Sequence, residues 1–108
     1  MRQLQILYKG EKAGQLTQNN DGSFVFEYDN DWLDNQSKPS ISLTLPKRRK
    51  PYESEYLFSL FYNMLPEGSN RQVVCKYNKI DVEDYFGILA VTAQHDNIGA
   101  ISVKRNEG

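Results

Sequence analysis

The 108 residues hold one cysteine, one histidine and one tryptophan. A single thiol, Cys75, allows no internal disulfide, so the fold must be held by packing. Its setting, "VVCKY", is that of a small core residue. One His and one Cys do not make a zinc site, which needs several such ligands at paired spacing. His95, in "AQHDNIG", reads as a surface or capping residue of a turn. There is no G-x-x-x-x-G-K-[ST] and no G-x-G-x-x-G, hence no phosphate-cradling loop. No Ser, His and acid arrangement stands out, and Glu67 has no evident partner for acid–base work. No cofactor, metal or catalytic residue is expected. No apolar run approaches the roughly 20 residues that span a bilayer. The start, "MRQLQILYKG", has too short an apolar stretch for a secretory signal, so a cytoplasmic protein is expected. A basic surplus is also missing: 13 Lys and Arg face 14 Asp and Glu, for a net charge of −1. A dedicated nucleic-acid binder usually carries the opposite balance.

What is present suits one small globular domain over residues 1–108, with 39% hydrophobic and 25% charged residues. Seven Tyr and five Phe supply large side chains for a small core. The first third reads as β-structure. Leu4, Ile6 and Tyr8 alternate, Lys9-Gly10-Glu11-Lys12 reads as a hairpin, and Ala13 and Leu16 return. Asn20-Asp21-Gly22 signals a second hairpin, followed by a strand at Ser23–Tyr28 with Phe24, Phe26 and Tyr28 on one face. A three-stranded meander over residues 3–28 is expected. Trp32-Leu33 anchors a polar loop, with Trp32 as a lid on the core. "ISLTLP" reads as a short strand ended by Pro46.

The run Lys47, Arg48, Arg49 and Lys50 reads as a solvated loop, with contact to phosphate or an acidic partner as the alternative. "SEYLFSLFYNML" reads as the clearest helix, with Ser54 as N-cap. Leu57, Phe58, Phe61, Met64 and Leu65 form its apolar face. Pro66 ends it. "EGSNRQVVCKY" reads as a shorter helix capped by Ser69 or Asn70. "DVEDYFGILAVTAQ" reads as another helix, with Asp81 as N-cap, Asp84 in its first turn, and Val82, Tyr85, Phe86, Leu89 and Ala93 inward. A last strand is expected at Ala100–Val103. The order, strands then helices, predicts an α+β fold: a small antiparallel sheet of about four to six strands with helices packed on one face.

The same pieces carry a resemblance. "LFYNMLPEG" is similar to the F-x-N-L-L-P-E-G signature of the HipA family of bacterial serine/threonine kinase toxins. Around it stand "G-x-K-A-G-x-L", "FVFEYDNDWL", "ISLTLP", "VEDYFGILA" and "DNIGAISV", in the order of that family's N-terminal subdomain and over nearly the whole chain. Two places depart from the pattern. Thr92-Ala93-Gln94-His95 stands where relatives carry a Gly, and Ser69 stands where some relatives place a large residue.

The family's nucleotide loop, catalytic acid and metal ligands lie in a larger segment that would follow Gly108. The resemblance therefore implies a non-enzymatic, free-standing HipS-like subdomain of a three-gene HipBST toxin–antitoxin system. Its implied partner is a HipT-like or HipA-like kinase, which it binds and restrains, with a HipB-like DNA-binding protein in a larger complex. The implied contact is the corner Leu65, Pro66, Glu67, Gly68, Ser69, Asn70 and Arg71, with the basic loop 47–50 as a secondary contact. Two other readings stay open. One is a fragment or split subunit that only stabilises a HipA-like kinase. The other is a nucleic-acid-binding domain using the basic loop.

Overall fold

Alternation of apolar and polar residues over the first third builds three consecutive strands. The computed structural model describes residues 1–92 and 100–105. Strands β1 (Arg2–Tyr8), β2 (Glu11–Gln18) and β3 (Phe24–Tyr28) form the expected meander. Lys9 and Gly10 both take positive φ, 51° and 83°. That is the mirror-image turn whose twist matches an antiparallel pair. The second connection closes through Asn19 N–H to the Ser23 carbonyl at 2.8 Å, with Gly22 at φ 91°.

Next come the one-turn helix α1 (Asn30–Asp34), strand β4 (Tyr52–Ser54), helices α2 (Ser59–Tyr62), α3 (Ser69–Asn78) and α4 (Tyr85–Thr92), and strand β5 (Ile101–Arg105). The sheet order is β4-β3-β2-β1-β5, with every neighbouring pair antiparallel. The fold is α+β, as expected. Leu4, Ile6, Leu16, Phe24, Phe26, Tyr28, Ile101 and Val103 are buried on one side of the sheet, where they join Phe61, Leu65, Phe86, Ile88 and Leu89 in the core. Gln5, Gln15 and Glu27 lie side by side in the register, and they are half-buried or exposed.

Ala13 and Leu16 are three residues apart, a spacing that puts them on opposite faces of a regular strand. Both are fully buried. A bulge reconciles the two. The β1 partners jump from Ile6↔Gly14 to Leu7↔Lys12, which leaves Ala13 as the extra residue. Gly14 sits at the tightest point of this arrangement. A Cβ there would lie 2.4 Å from the Glu27 carbonyl oxygen and 3.0 Å from the Phe26 ring.

Four expectations are corrected. The segment "ISLTLP" is a tight turn with one bridge, Ser42↔Leu45, rather than a strand. Its alternation is real, since Ile41 and Leu45 are buried, but the place beside β3 is taken by β4. The Ser42 hydroxyl accepts from Thr44 N–H at 3.2 Å and favours the turn. The Tyr28 hydroxyl holds both ends, accepting from Ile41 N–H at 3.0 Å and donating to the Leu45 carbonyl.

Ser54 is not an N-cap. It ends β4, and its hydroxyl accepts from Tyr56 N–H at 3.1 Å. The helix expected from there is the single turn α2. It continues in i→i−3 bonds, Met64 N–H to Phe61 and Leu65 N–H to Tyr62, both 3.1 Å. The apolar face survives this change: Leu57, Phe61, Met64 and Leu65 are buried, and Phe58 is half-buried.

Neither Ser69 nor Asn70 caps α3; Gly68 occupies that position without a side-chain bond. Nor does Asp81 cap α4. Asp81 closes a preceding turn by accepting from Glu83 N–H at 2.8 Å, and this turn leaves Val82 exposed. The Asp84 carboxylate instead accepts from Gly87 N–H at 3.1 Å, three residues on.

Trp32 is a lid, 4% exposed, with Nε1 donating to the Pro39 carbonyl at 2.8 Å. Cys75 is buried. The last strand runs to Arg105 rather than Val103. Ala93 and His95 lie outside the described residues. No helix of the described residues is long and apolar enough to cross a membrane.

Arg2 joins the start of β1 to the start of α4. Its guanidinium donates to Asp84 at 2.7 and 3.1 Å. The hydrogen bond from Arg2 holds the Asp84 carboxyl below its ordinary range, against the opposing effect of partial burial. A depressed folded-state pKa stabilises the fold above the unfolded value and ceases to do so as pH falls through the folded one. Between about pH 5 and 2, the wild type should therefore lose more stability than Asp84→Asn, measured by urea midpoints at each pH. At the bulge, Gly14→Ala should destabilise by about 1–3 kcal/mol in the same assay, because the added methyl meets backbone.

Candidate partner-binding surface

The corner Leu65–Arg71 begins inside the core and ends on the surface. Leu65 is 5% exposed, so its side chain anchors the corner rather than offering a contact. Pro66 is half-buried, and Glu67, Gly68, Ser69 and Asn70 are exposed. Gly68 takes φ 56° and ψ −131°. A Cβ there would meet nothing within 4 Å, so the backbone angle, not space, calls for glycine. Asn70 N–H donates to the Glu67 carbonyl and Arg71 N–H to the Gly68 carbonyl, both at 3.1 Å.

Arg71 then closes the corner on itself. Its Nε donates to the Pro66 carbonyl at 3.0 Å. Its guanidinium lies over two rings, 5.8 Å from the Tyr62 centroid and 5.4 Å from that of Tyr85. Those rings meet edge to face at 5.5 Å. The corner is thus clamped by α2 below it and by the start of α4 beside it. Such a surface loses little conformational freedom on binding. In this arrangement Arg71 is a brace, while the side chains of Glu67, Ser69 and Asn70 are exposed.

The basic loop 47–50 is mostly engaged with the protein itself. Lys47 Nζ donates to the carbonyls of Asn35 at 3.0 Å and Lys38 at 2.9 Å. Arg48 lies 3.6 Å above the Tyr52 ring centroid and donates to the carbonyls of Lys50 and Pro51. Arg49 pairs with Asp34. Lys50 is exposed. The run that looked like a patch of four cations is largely a set of loop fasteners.

A cleft that the sequence did not reveal opens beside the corner. It is about 320 Å³ and includes Glu55, Tyr56, Tyr62, Glu83 and Tyr85 in its walls. The high tyrosine content was the available signal, but these residues come from three separate segments. A second cavity of about 380 Å³ lies between β1 and α4, with Leu4, Phe86 and Ala90 among its lining. Among the described residues, no group of three or more His, Cys, Asp or Glu side chains forms a metal cluster.

The family model described as HipA N-terminal domain matches residues 4–104. A solved structure described as the N-terminal domain of HipA toxin superposes with a TM-score of 0.70 at 28% identity, covering 99% of this chain and 94% of that one. An uncharacterized protein of Haemophilus influenzae is 28% identical over 107 residues, 99% of this chain and 95% of its own length. The Sinorhizobium fredii protein named "Putative kinase Y4mE" is 32% identical over 89 residues, 82% of this chain. The match spans only 21% of that longer protein. With a family-model match over residues 4–104 and a solved structure that superposes over nearly its full length, the chain belongs to the HipA N-terminal domain family.

Proposed function

We propose that the chain is a non-catalytic, antitoxin-like subunit that binds and restrains a HipA-like or HipT-like serine/threonine kinase. A HipB-like DNA-binding protein would join the larger complex in the cytoplasm. The observation that carries this reading is the corner. An exposed Glu67-Gly68-Ser69-Asn70 tip stands on a buried Leu65 and is braced by Arg71 against Pro66, Tyr62 and Tyr85. A tip held in this way binds without a large ordering cost. The secondary contact assigned to the basic loop has less support, because three of its four cations already have internal partners. The same fact weighs against a nucleic-acid domain built on that loop.

A second reading, a unit that only stabilises a HipA-like kinase, is favoured by the Sinorhizobium relative, where the matched region is one part of a longer chain. Purification of the tagged chain from its native operon separates the two. Restraint predicts a co-purified kinase whose autophosphorylation falls when more of this chain is added. Stabilisation alone predicts a kinase that becomes insoluble without the chain and whose specific activity does not respond to it. Absence of any co-purified kinase would overturn both.

The variants Glu67→Lys and Ser69→Arg should unfold within about 0.5 kcal/mol of the wild type, since both side chains are exposed. Each should weaken kinase binding about tenfold or more, read by calorimetry. Unchanged affinity for both would remove the corner from the interface. The isolated chain should show no Mg-dependent ATP turnover, because phosphoryl transfer needs positioned metal and phosphate ligands. Release of inorganic phosphate that saturates with ATP in a pure preparation would contradict this.

A further inference from the structure

We propose that the cleft beside the corner is a socket for one basic side chain, an arginine or lysine, of the protein partner. The identity of that partner rests on the kinase-binding reading above; the chemistry of the socket does not. Phe24, Tyr56, Tyr62 and Tyr85 line the cleft together with Glu55 and Glu83. Aromatic faces attract cations, most strongly when water is partly excluded. Carboxylates at the rim supply charge and accept the N–H groups of a guanidinium or ammonium.

Two observations select a cationic occupant over a neutral one. First, among the described residues the four ion pairs use Asp84, Asp29, Glu11 and Asp34, while Glu55 and Glu83 have no cationic partner. Second, Tyr56 is 77% exposed and Tyr62 is 43% exposed, so these rings are open to an incoming group. Arg71 lies over Tyr62 and Tyr85 from the corner side, and it is not part of the cleft lining. The volume, about 320 Å³, is at the small end of the roughly 300–1,000 Å³ that enclose small-molecule ligands. It is large enough to take one long side chain. Because Arg71 braces both the corner and the cleft, the two surfaces have a fixed relation and can engage one partner together.

The test uses the full chain, labelled with nitrogen-15, and two capped tripeptides. One is acetyl-Gly-Arg-Gly-amide; the other carries citrulline, which has nearly the shape of arginine without its charge. The arginine peptide should shift the amide signals of residues 55–57, 62 and 83–85 in a saturable way, with a dissociation constant of about 1–10 mM. The citrulline peptide should bind at least about tenfold more weakly, and Glu55→Gln with Glu83→Gln should weaken the arginine peptide about tenfold. Unshifted thermal unfolding of that double variant would show that the fold is intact. Equal binding of the two peptides, or shifts centred elsewhere, would overturn the socket. The peptide arm needs no kinase and stands if the kinase reading fails. Kinase affinity unchanged in the double variant would overturn the assignment of the occupant to the partner and leave the corner untouched.

Discussion

The contact between Phe61 and Phe26 joins the two halves of this protein. Phe26 lies at the centre of β3, and Phe61 lies on the single turn α2. Both are fully buried, with ring centroids 5.9 Å apart. Phe58 and Tyr28 extend the cluster edge to face, at 6.3 and 4.9 Å. Burial of one such ring contributes about 1.5–3 kcal/mol. A helix of four residues has almost no stability of its own. It exists here because Phe61 is driven onto the sheet. Everything that follows, from the Leu65 anchor to the direction in which the chain leaves at Pro66, depends on that placement.

The surface divides by how its charges are used. Basic residues near the Trp32 loop are spent on carbonyls, rings and carboxylates of the same chain: Lys38 to Glu11, Lys47 to Asn35 and Lys38, Arg48 to Tyr52, Arg49 to Asp34. Exposed ion pairs of this kind contribute only about 0–1 kcal/mol each, so their effect is to orient loops rather than to hold the fold. On the side of the corner, the cation Arg71 is used as a brace, and among the described residues Glu55, Glu67 and Glu83 form no ion pair. A near-zero net charge therefore conceals an uneven surface. The acidic and aromatic side is the one to which the proposed contacts are assigned.

The meander, the core phenylalanines and the helices over 69–78 and 85–92 were legible because local signals and tertiary demands agree there. Gly10 and Gly22 specify their turns through positive φ angles that few other residues adopt. Phe24, Phe26 and Tyr28 fit only one face of a strand. The misreadings share a different cause. In "ISLTLP", in Ser54 and in Asp81, a side chain had two local options, and competition for the sheet edge or a neighbouring turn chose between them. The corner could be found from its stiff Pro-Glu-Gly turn, but Leu65 could not be told from an exposed contact until the sheet beneath it was in place.

The order of residues by itself determined which side chains must be buried, where the chain must turn, and that metal and phosphate chemistry lack their usual motifs. Those properties follow from composition and from spacings of two to four residues, which act within a single element. The tertiary structure alone decided that β4 rather than 41–46 completes the sheet, that Arg2 meets Asp84 across 82 positions, and that Tyr56, Tyr62 and Tyr85 share one cleft. Such contacts depend on the relative placement of distant segments. The physical reason is that many local sequences satisfy the same short-range preferences, and only packing against one common core selects among their combinations.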